Sequence, residues 1–189
     1  MSQMIDFTLP SCQPGRTLHA FRCVPEGEVR AVLQLSHGMV EFIDRYKPLA
    51  ENLAARGILV TGNDHLGHGK SVIDGCPGVY FGEQDGWRHV VDDMEELRRR
   101  TAQVFPGKPY FLFGHSMGSF LSRTHLILYP GRLTGCVLCG TGHQAAPIIA
   151  GGKLVADMEI RRLGKKAFSA KADSLAFGAY NKRFAPTRT

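Results

Sequence analysis

The chain has 189 residues, 43% of them hydrophobic and 21% charged, which is typical of one soluble globular domain or of a large part of one. This composition argues against disorder. The N-terminus lacks a basic start followed by an apolar core and a cleavage site, and no apolar run approaches the length of a membrane span. The sequence therefore predicts a cytoplasmic protein.

The net charge of +6 is concentrated near the C-terminus. Residues 1–149 contain 14 Lys and Arg against 14 Asp and Glu, whereas residues 150–189 contain nine against three. This shift indicates a boundary. A basic surface on the second segment could meet anionic lipid or nucleic acid, and solvated helix faces explain the same charges equally well. We keep an anionic membrane surface as a hypothesis and expect no nucleic-acid partner.

The first predicted elements are strands. Residues 6–10 and 17–24 are predicted to form a leading hairpin around a turn at 11–16, and residues 29–38 form a buried strand. A helix follows over 46–57, ends at its glycine, and places three apolar residues on one face: Leu49, Leu53 and Ala54.

The next strand is predicted over 58–64, and a long helix over 87–105. The apolar residues of that helix recur at helical spacing: Trp87, Val90, Val91, Met94, Leu97, Thr101 and Val104. The opposite face contains Asp93, Glu96 and Arg100, so we expect the helix to lie on a sheet with one side in water.

Residues 109–115 are predicted as a strand buried on both faces, followed by a helix from Ser116 to Pro130 and a strand over 133–140. From residue 144 the pattern changes to apolar and basic helices, most clearly over 154–168. The alternation of strands and helices up to that point predicts an α/β fold with a mostly parallel sheet.

The five cysteines form no framework of disulfide bonds, because their number is odd and they are scattered. They are Cys12, Cys23, Cys76, Cys136 and Cys139. The last two spell C-x-x-C inside an apolar strand-like run, where positions three apart face opposite sides of a sheet. We therefore expect two buried thiols and not a redox or zinc pair.

The sequence Gly114-His115-Ser116-Met117-Gly118 is G-x-S-x-G, placed directly after a predicted strand and before a predicted helix. A sharp turn there forces the serine into a strained backbone conformation, and the glycines leave room for the neighbouring chain. The hydroxyl then projects from the sheet edge, beside the free amides of the helix N-terminus. Helix capping would explain a serine but not the glycines, so we predict that Ser116 is a nucleophile with the Met117 amide facing an oxyanion.

A second turn, at His37-Gly38, follows the strand residues 29–35 and can aim the backbone amide of Met39 into the same site. Two converging amides make an effective oxyanion hole, with each donor contributing a factor on the order of 10² to 10³ in rate.

The loop "NDHLGHGKS", residues 63–71, allows two interpretations. Asp64, His65 and His68 are possible metal ligands, but a glycine-rich loop after a strand favours a structural loop held by side-chain to backbone hydrogen bonds. The loop lacks the first glycine of a phosphate loop, so nucleotide binding is not expected. We expect no metal and no cofactor.

Four motifs resemble the α/β-hydrolases, and within them the monoacylglycerol lipase and bacterial lysophospholipase group. They are "HGMVEFIDRY", "NDHLGHGKS", "GHSMG" and, further on, "FGAYNKRFAP". The resemblance implies Ser116 as nucleophile and the amides of Met39 and Met117 as oxyanion hole. It also implies that Glu41, Arg45 and His115 surround the polar head of a glyceryl ester. Met39 is bulkier than the small residue usual in that group.

The fold's order is nucleophile, then acid, then histidine on loops after later strands. After Ser116 the candidates are His125, His143, Asp157 and Asp173. His125 lies nine residues into the nucleophile's own helix, His143 precedes both aspartates, and the aspartates belong to the basic segment. The triad Asp and His are therefore expected to be absent from this chain.

The resulting prediction is the N-terminal part of an α/β-hydrolase core over residues 1–143, with helices on both faces of the sheet, and the start of a basic helical cap over 144–189. The C-terminal strands are expected to be absent, leaving a sheet edge available for association. Three functions stand: a serine esterase or lipase acting on a monoacylglycerol or lysophospholipid, a non-catalytic module of the same fold, and another hydrolase such as a peptidase or thioesterase.

Overall fold

The computed structural model describes residues 2–73, 75–76 and 78–182. The chain divides into two compact units, Met1–Thr141 and Gly142–Thr189. The first unit contains every strand of the described residues, and the second contains two helices.

One six-stranded sheet forms the centre of the first unit, in the order β1-β2-β4-β3-β5-β6. Its strands are β1 (Gln3–Pro10), β2 (Thr17–Val24), β3 (Ala31–Ser36), β4 (Ile58–Asn63), β5 (Tyr110–His115) and β6 (Gly135–Cys139). The leading hairpin pairs antiparallel, β2 pairs antiparallel with β4, and the remaining pairs are parallel. The predicted hairpin and mostly parallel sheet are therefore confirmed.

Helices connect the parallel strands, because such strands cannot be joined by a tight turn. The helices are α1 (Lys47–Ala54), α2 (Gly86–Val104), α3 (Met117–Leu128), α4 (Ala146–Leu163) and α5 (Ala170–Lys182). Two 3-10 turns, Ile43–Tyr46 and Gly69–Ser71, precede α1 and follow β4. None of the described helices combines the length and apolar character needed to cross a membrane.

The hydrophobic core lies on both faces of the sheet. One cluster joins the leading hairpin to α2 and α3: Leu9, Leu18, Ala20, Leu66, Val90, Val91, Met94, Leu97, Leu112 and Leu121. The other lies under α1: Phe21, Cys23, Leu35, Ile43, Ala50, Ala54 and Val60. Helices on both faces, as predicted, shield the parallel strands from water.

The predicted faces of two helices need correction. In α1 the buried residues are Ala50 and Ala54, while Leu49 is 40% exposed, because small side chains allow the helix to approach β2 and β4 closely. In α2 the predicted solvent-facing Asp93 is fully buried. Its carboxylate accepts hydrogen bonds from Ser11 Oγ, at 2.9 and 3.1 Å, and from the backbone amide of Cys12.

Strands near the open edge are less buried than predicted. In β5 the buried residues Tyr110 and Leu112 alternate with the half-buried Phe111 and Phe113, so only one face is fully covered. In β6, Cys136 is half-buried and Cys139 is exposed, so the expectation of two buried thiols was wrong. The physical reason is that β6 is the last strand of the described sheet and has a neighbour on one side only.

In the second unit, α4 begins eight residues before the predicted 154–168 segment and ends at Leu163, directly before Gly164, whose φ is +90°. Arg162 and Ser169 bind Glu159, with shortest distances of 2.8 and 2.7 Å, which links α4 to the segment before α5. The motif "FGAYNKRFAP", residues 177–186, lies partly outside the described residues.

Candidate active site

Ser116 occupies the junction between β5 and α3 with φ 51° and ψ −118°, a conformation that L-residues rarely adopt. The flanking positions need glycine, because neighbouring atoms leave no room for a Cβ atom there. A Cβ on Gly114 would overlap the carbonyl oxygen of Gly118 and the hydroxyl of Ser122, and a Cβ on Gly118 would overlap the carbonyl oxygen of Ser36. The strand-turn-helix geometry predicted from G-x-S-x-G is therefore present.

The backbone of Ser116 is held on both sides. Its amide donates to the carbonyl oxygen of Cys139 at 2.9 Å, and its carbonyl accepts from the amide and the hydroxyl of Ser119 at 2.9 and 2.6 Å. The side chain of Ser116 is partly exposed, and its hydroxyl forms no hydrogen bond with any residue of the described part. A fixed backbone with an unengaged hydroxyl is the arrangement a nucleophile needs.

The turn after β3 lies directly beside this serine, because a Cβ built on Gly38 would be 3.2 Å from Ser116 Cβ. Within the described ranges, the amides of Met39 and Met117 donate no hydrogen bond to the protein. The structure thus places the turn that contains Met39 beside Ser116, which Met117 directly follows in the chain. Free amides beside a serine are the elements of an oxyanion hole.

Glu41 is nearly buried and collects hydrogen bonds from several parts of the site. Its Oε1 accepts from the amide of Gly38, from His115 Nδ1 at 3.0 Å and from Tyr46 Oη at 3.0 Å, and its Oε2 accepts from Arg45 at 3.2 Å. Burial raises the pKa of Glu41, but these donors outweigh it and the pKa is lowered overall. Glu41, Arg45 and His115 therefore form one charged cluster next to Ser116.

The loop after β4 is held by side-chain to backbone hydrogen bonds, as predicted. Asp64 accepts from the amides of Ile43 at 2.7 Å and Lys70 at 2.8 Å, one on each carboxylate oxygen. His68 Nδ1 bonds to the carbonyl oxygen of Leu66 at 3.1 Å. These bonds fix the loop against the start of the 3-10 turn before α1.

The candidate histidines and acids for a triad are not gathered at Ser116 by any contact in the first unit. His125 is buried and lies 2.9 Å from Glu95, which belongs to α2. It follows Ser116 by nine residues, about 13 Å along a helix axis. The other candidates, His143, Asp157 and Asp173, belong to the second unit.

The sequence did not predict the contribution of two residues to the hydrogen bonds of the site. Tyr46 was noted only as part of a motif, although its hydroxyl binds Glu41. His37 was taken only as a turn residue, although its ring bonds to both Gly38 and His65. The available signal was a histidine directly before a turn glycine. The sequence alone does not show which groups the ring of His37 contacts.

The sheet order, the crossover helices and the serine elbow define an α/β-hydrolase fold. A thermostable carboxyl esterase from Bacillus coagulans superposes with a TM-score of 0.80 at 24% identity, covering 93% of this chain and 56% of the esterase. The family model for serine aminopeptidase, S33, matches residues 27–178, and the chain belongs to that family.

Two curated relatives are lipases by name. A monoacylglycerol lipase of Mycolicibacterium smegmatis is 30% identical over 161 residues, which is 80% of this chain and 55% of the relative. The human monoglyceride lipase is 35% identical over 121 residues, which is 60% of this chain and 36% of the relative. The chain thus spans about half the length, or less, of these relatives.

Proposed function

We propose that this chain contains the nucleophile and the oxyanion hole of a serine hydrolase that cleaves the carboxylic ester of a monoacylglycerol or lysophospholipid. The observation that carries the proposal is the strained Ser116, which has a fixed backbone and a hydroxyl without a hydrogen bond among the described residues. The names of the two lipase relatives support the ester as substrate.

In the proposed reaction, the hydroxyl oxygen of Ser116 attacks the ester carbonyl carbon while a base takes its proton. The carbonyl oxygen becomes an oxyanion and accepts hydrogen bonds from the amides of Met39 and Met117. The intermediate then collapses, the alcohol leaves with the proton, and an acyl group remains on Ser116. Water repeats the sequence and releases the fatty acid.

We assign the polar head of the substrate to Glu41, Arg45 and His115. The Oε1 atom of Glu41 already accepts three hydrogen bonds from the protein, whereas Oε2 accepts only that of Arg45 among the described residues. The side chain of Arg45 is 69% exposed, and its guanidinium offers further donors. A glyceryl head, with hydroxyls that both donate and accept, suits this combination.

We propose that the acid and the base of the triad are not among these 189 residues. The engagement of the buried His125 with Glu95 supports this, since the ring would have to leave a partner at 2.9 Å to act as base. The division of the chain into residues 1–143 as core and 144–189 as the start of a cap is part of the same proposal. The cytoplasmic location stays a prediction.

The test of the nucleophile is covalent labelling of the full-length natural protein with an alkyl fluorophosphonate. We expect one label, on Ser116, and its loss in Ser116→Ala. Ser122→Ala is the matched control, because Ser122 lies on the same helix with its hydroxyl bonded to Gly118, and it should keep the label. Labelling of Ser36 or Ser119 would contradict the assignment.

A peptidase is the second candidate, because the family model that matches the chain is described as serine aminopeptidase. A substrate panel separates the candidates: monoacylglycerol, lysophosphatidylcholine, an aminoacyl p-nitroanilide and an acyl thioester. Ester hydrolysis with little anilide cleavage supports the lipase proposal. Preferred anilide cleavage supports the peptidase, and the absence of both labelling and turnover supports a non-catalytic module.

We further propose that the second unit contacts an anionic membrane. Its two helices and the turn between them expose both apolar and basic side chains: Ile148, Ile149, Leu154 and Ile160, with Lys153, Arg161, Lys165 and Lys171. Each cation near an anionic surface contributes about 1 kcal/mol. We expect co-sedimentation with vesicles containing phosphatidylserine at low salt, and its loss at high salt. Equal binding to neutral vesicles would contradict the electrostatic part.

A further inference from the structure

The turn that presents the Met39 amide is not held by packing. Met39 and Val40 are 42% and 74% exposed, and Val40 has φ 59°, a left-handed conformation that is unfavourable for a β-branched residue. The side chains of Met39 and Val40 therefore do not fix the direction of this turn. Hydrogen bonds to the turn backbone must do so.

His37 supplies such a bond and is itself fully buried. Its Nδ1 lies 2.8 Å from the carbonyl oxygen of Gly38, and its Nε2 accepts from the backbone amide of His65 at 3.0 Å. Because a backbone amide can only donate, Nε2 must be unprotonated. The ring is therefore neutral, with its proton on Nδ1 donated to Gly38.

The carbonyl of Gly38 and the amide of Met39 belong to one planar trans peptide, so they point in opposite directions. Fixing the carbonyl toward the buried His37 fixes the amide on the other side. We propose that His37 is a positioning residue that holds this peptide and so directs the Met39 amide to the oxyanion. This inference rests on the proposed function.

The partners of His37 are themselves fixed. The amide of His65 follows Asp64, whose two carboxylate oxygens bind the amides of Ile43 and Lys70. At the other end of the turn, the amide of Gly38 donates to Glu41. The turn is therefore attached to the loop after β4 through His37 and to the charged cluster through Glu41.

The charge state that this arrangement requires agrees with the surroundings of the ring. Burial, with a smaller contribution from His68, lowers the pKa of His37 to about 4, although the hydrogen bond to Gly38 and the carboxylates of Asp64 and Glu41 oppose the shift. His65 packs against the ring with centroids 4.2 Å apart, and His68 lies at 5.3 Å. The ring is neutral at pH 7, as donation from Nδ1 and acceptance at Nε2 demand.

Two variants of the full-length protein separate positioning from general support. In His37→Asn the shorter amide reaches the place of Nδ1 and can still donate to Gly38. In His37→Gln the longer amide reaches the place of Nε2, can accept from His65, and leaves the carbonyl of Gly38 unpaired. Both remove one of the two bonds, so a structural role predicts similar losses.

We expect His37→Gln to lower kcat for ester hydrolysis about 10² to 10³-fold, the effect of losing one oxyanion donor, with KM changed less than about threefold. His37→Asn should stay within about tenfold of the unsubstituted kcat. His125→Gln, a buried histidine far along α3, is the control and should lower the unfolding midpoint without changing kcat. Equal kcat in the two His37 variants would overturn the proposal.

A measurement on the unsubstituted protein covers the case in which neither variant folds. Long-range ¹H–¹⁵N NMR of the imidazole should show the proton on Nδ1 of His37, and a proton on Nε2 would overturn the proposal. Failure of the proposed function is seen separately, as no hydrolysis by the unsubstituted protein or as hydrolysis that survives Ser116→Ala.

Discussion

At the scale of single residues, the site contains a strained backbone conformation at Ser116. A non-glycine residue at φ 51° and ψ −118° has a cost of about 1–3 kcal/mol. The hydrogen bonds from its amide to Cys139 and from Ser119 to its carbonyl maintain the conformation. The strain belongs to the Cβ atom, which is the atom that carries the hydroxyl out of the sheet edge.

This location of the strain predicts the order of stability of two variants. Ser116→Ala keeps the Cβ and the strain, whereas Ser116→Gly removes both. After allowance for the greater entropy of glycine in the unfolded chain, we expect the glycine variant to be more stable by about 0.5–2 kcal/mol. Urea denaturation followed by circular dichroism measures the difference.

The same pair at Ser122 provides the control, because Ser122 lies inside α3. There the order should reverse, with alanine more stable than glycine by about 1 kcal/mol. An alanine variant at position 116 as stable as the glycine variant would show that the elbow stores no strain.

At the scale of elements, the sequence correctly predicted the features that the local pattern of residues determines. Glycines around Ser116 specified the elbow, and alternation of strands and helices specified the sheet. Burial of a charged residue depends on partners that are distant in sequence. Asp93 was therefore predicted to face water, although Ser11 and Cys12, in the turn of the leading hairpin, bind it. The exposure of Cys139 likewise depends on the strand order.

The loop after β4 and the start of its neighbouring turn contain three histidines whose pKa values are lowered, chiefly by burial: His37, His65 and His68. The unfolded chain binds protons near pH 6.5, above the folded values, so the stability these groups contribute is present above about pH 6.5 and is lost as the pH falls toward 4. Neutral rings are a condition of the folded loop.

We therefore expect the urea midpoint to fall steadily between pH 7 and pH 5, with a net uptake of protons on unfolding in that range. Equilibrium denaturation at several pH values measures it. The control is His143→Gln, an exposed position, which should leave the slope unchanged. A midpoint independent of pH over this range would contradict the neutral cluster.

At the scale of the molecule, β6 is an edge strand with exposed apolar residues. Val137 and Leu138 are 50% and 37% exposed, and the strand pairs only with β5 in the described sheet. An unpaired, apolar strand edge promotes association with another chain. We propose that this edge is where the molecule, in the form of these 189 residues, meets a partner or a further part of its own fold.

For the 189 residues expressed alone, we expect self-association in sedimentation velocity and turnover of p-nitrophenyl esters near the uncatalysed rate. A lysine at the exposed position, Val137→Lys, should reduce association, because a charge on an edge strand opposes pairing. A lysine at the exposed Leu175 of α5 is the control and should not. A monomer with strong hydrolysis would contradict both expectations.

The anchoring of the leading hairpin on Asp93 has a chemical consequence at Cys12. Partial burial and the Asp93 carboxylate raise the pKa of this thiol to about 12, which disfavours the reactive thiolate while the hairpin is docked. Undocking restores an ordinary thiol. We therefore expect Cys12 to be alkylated more slowly in the native protein than in the unfolded protein, a difference that is measurable without any engineered label.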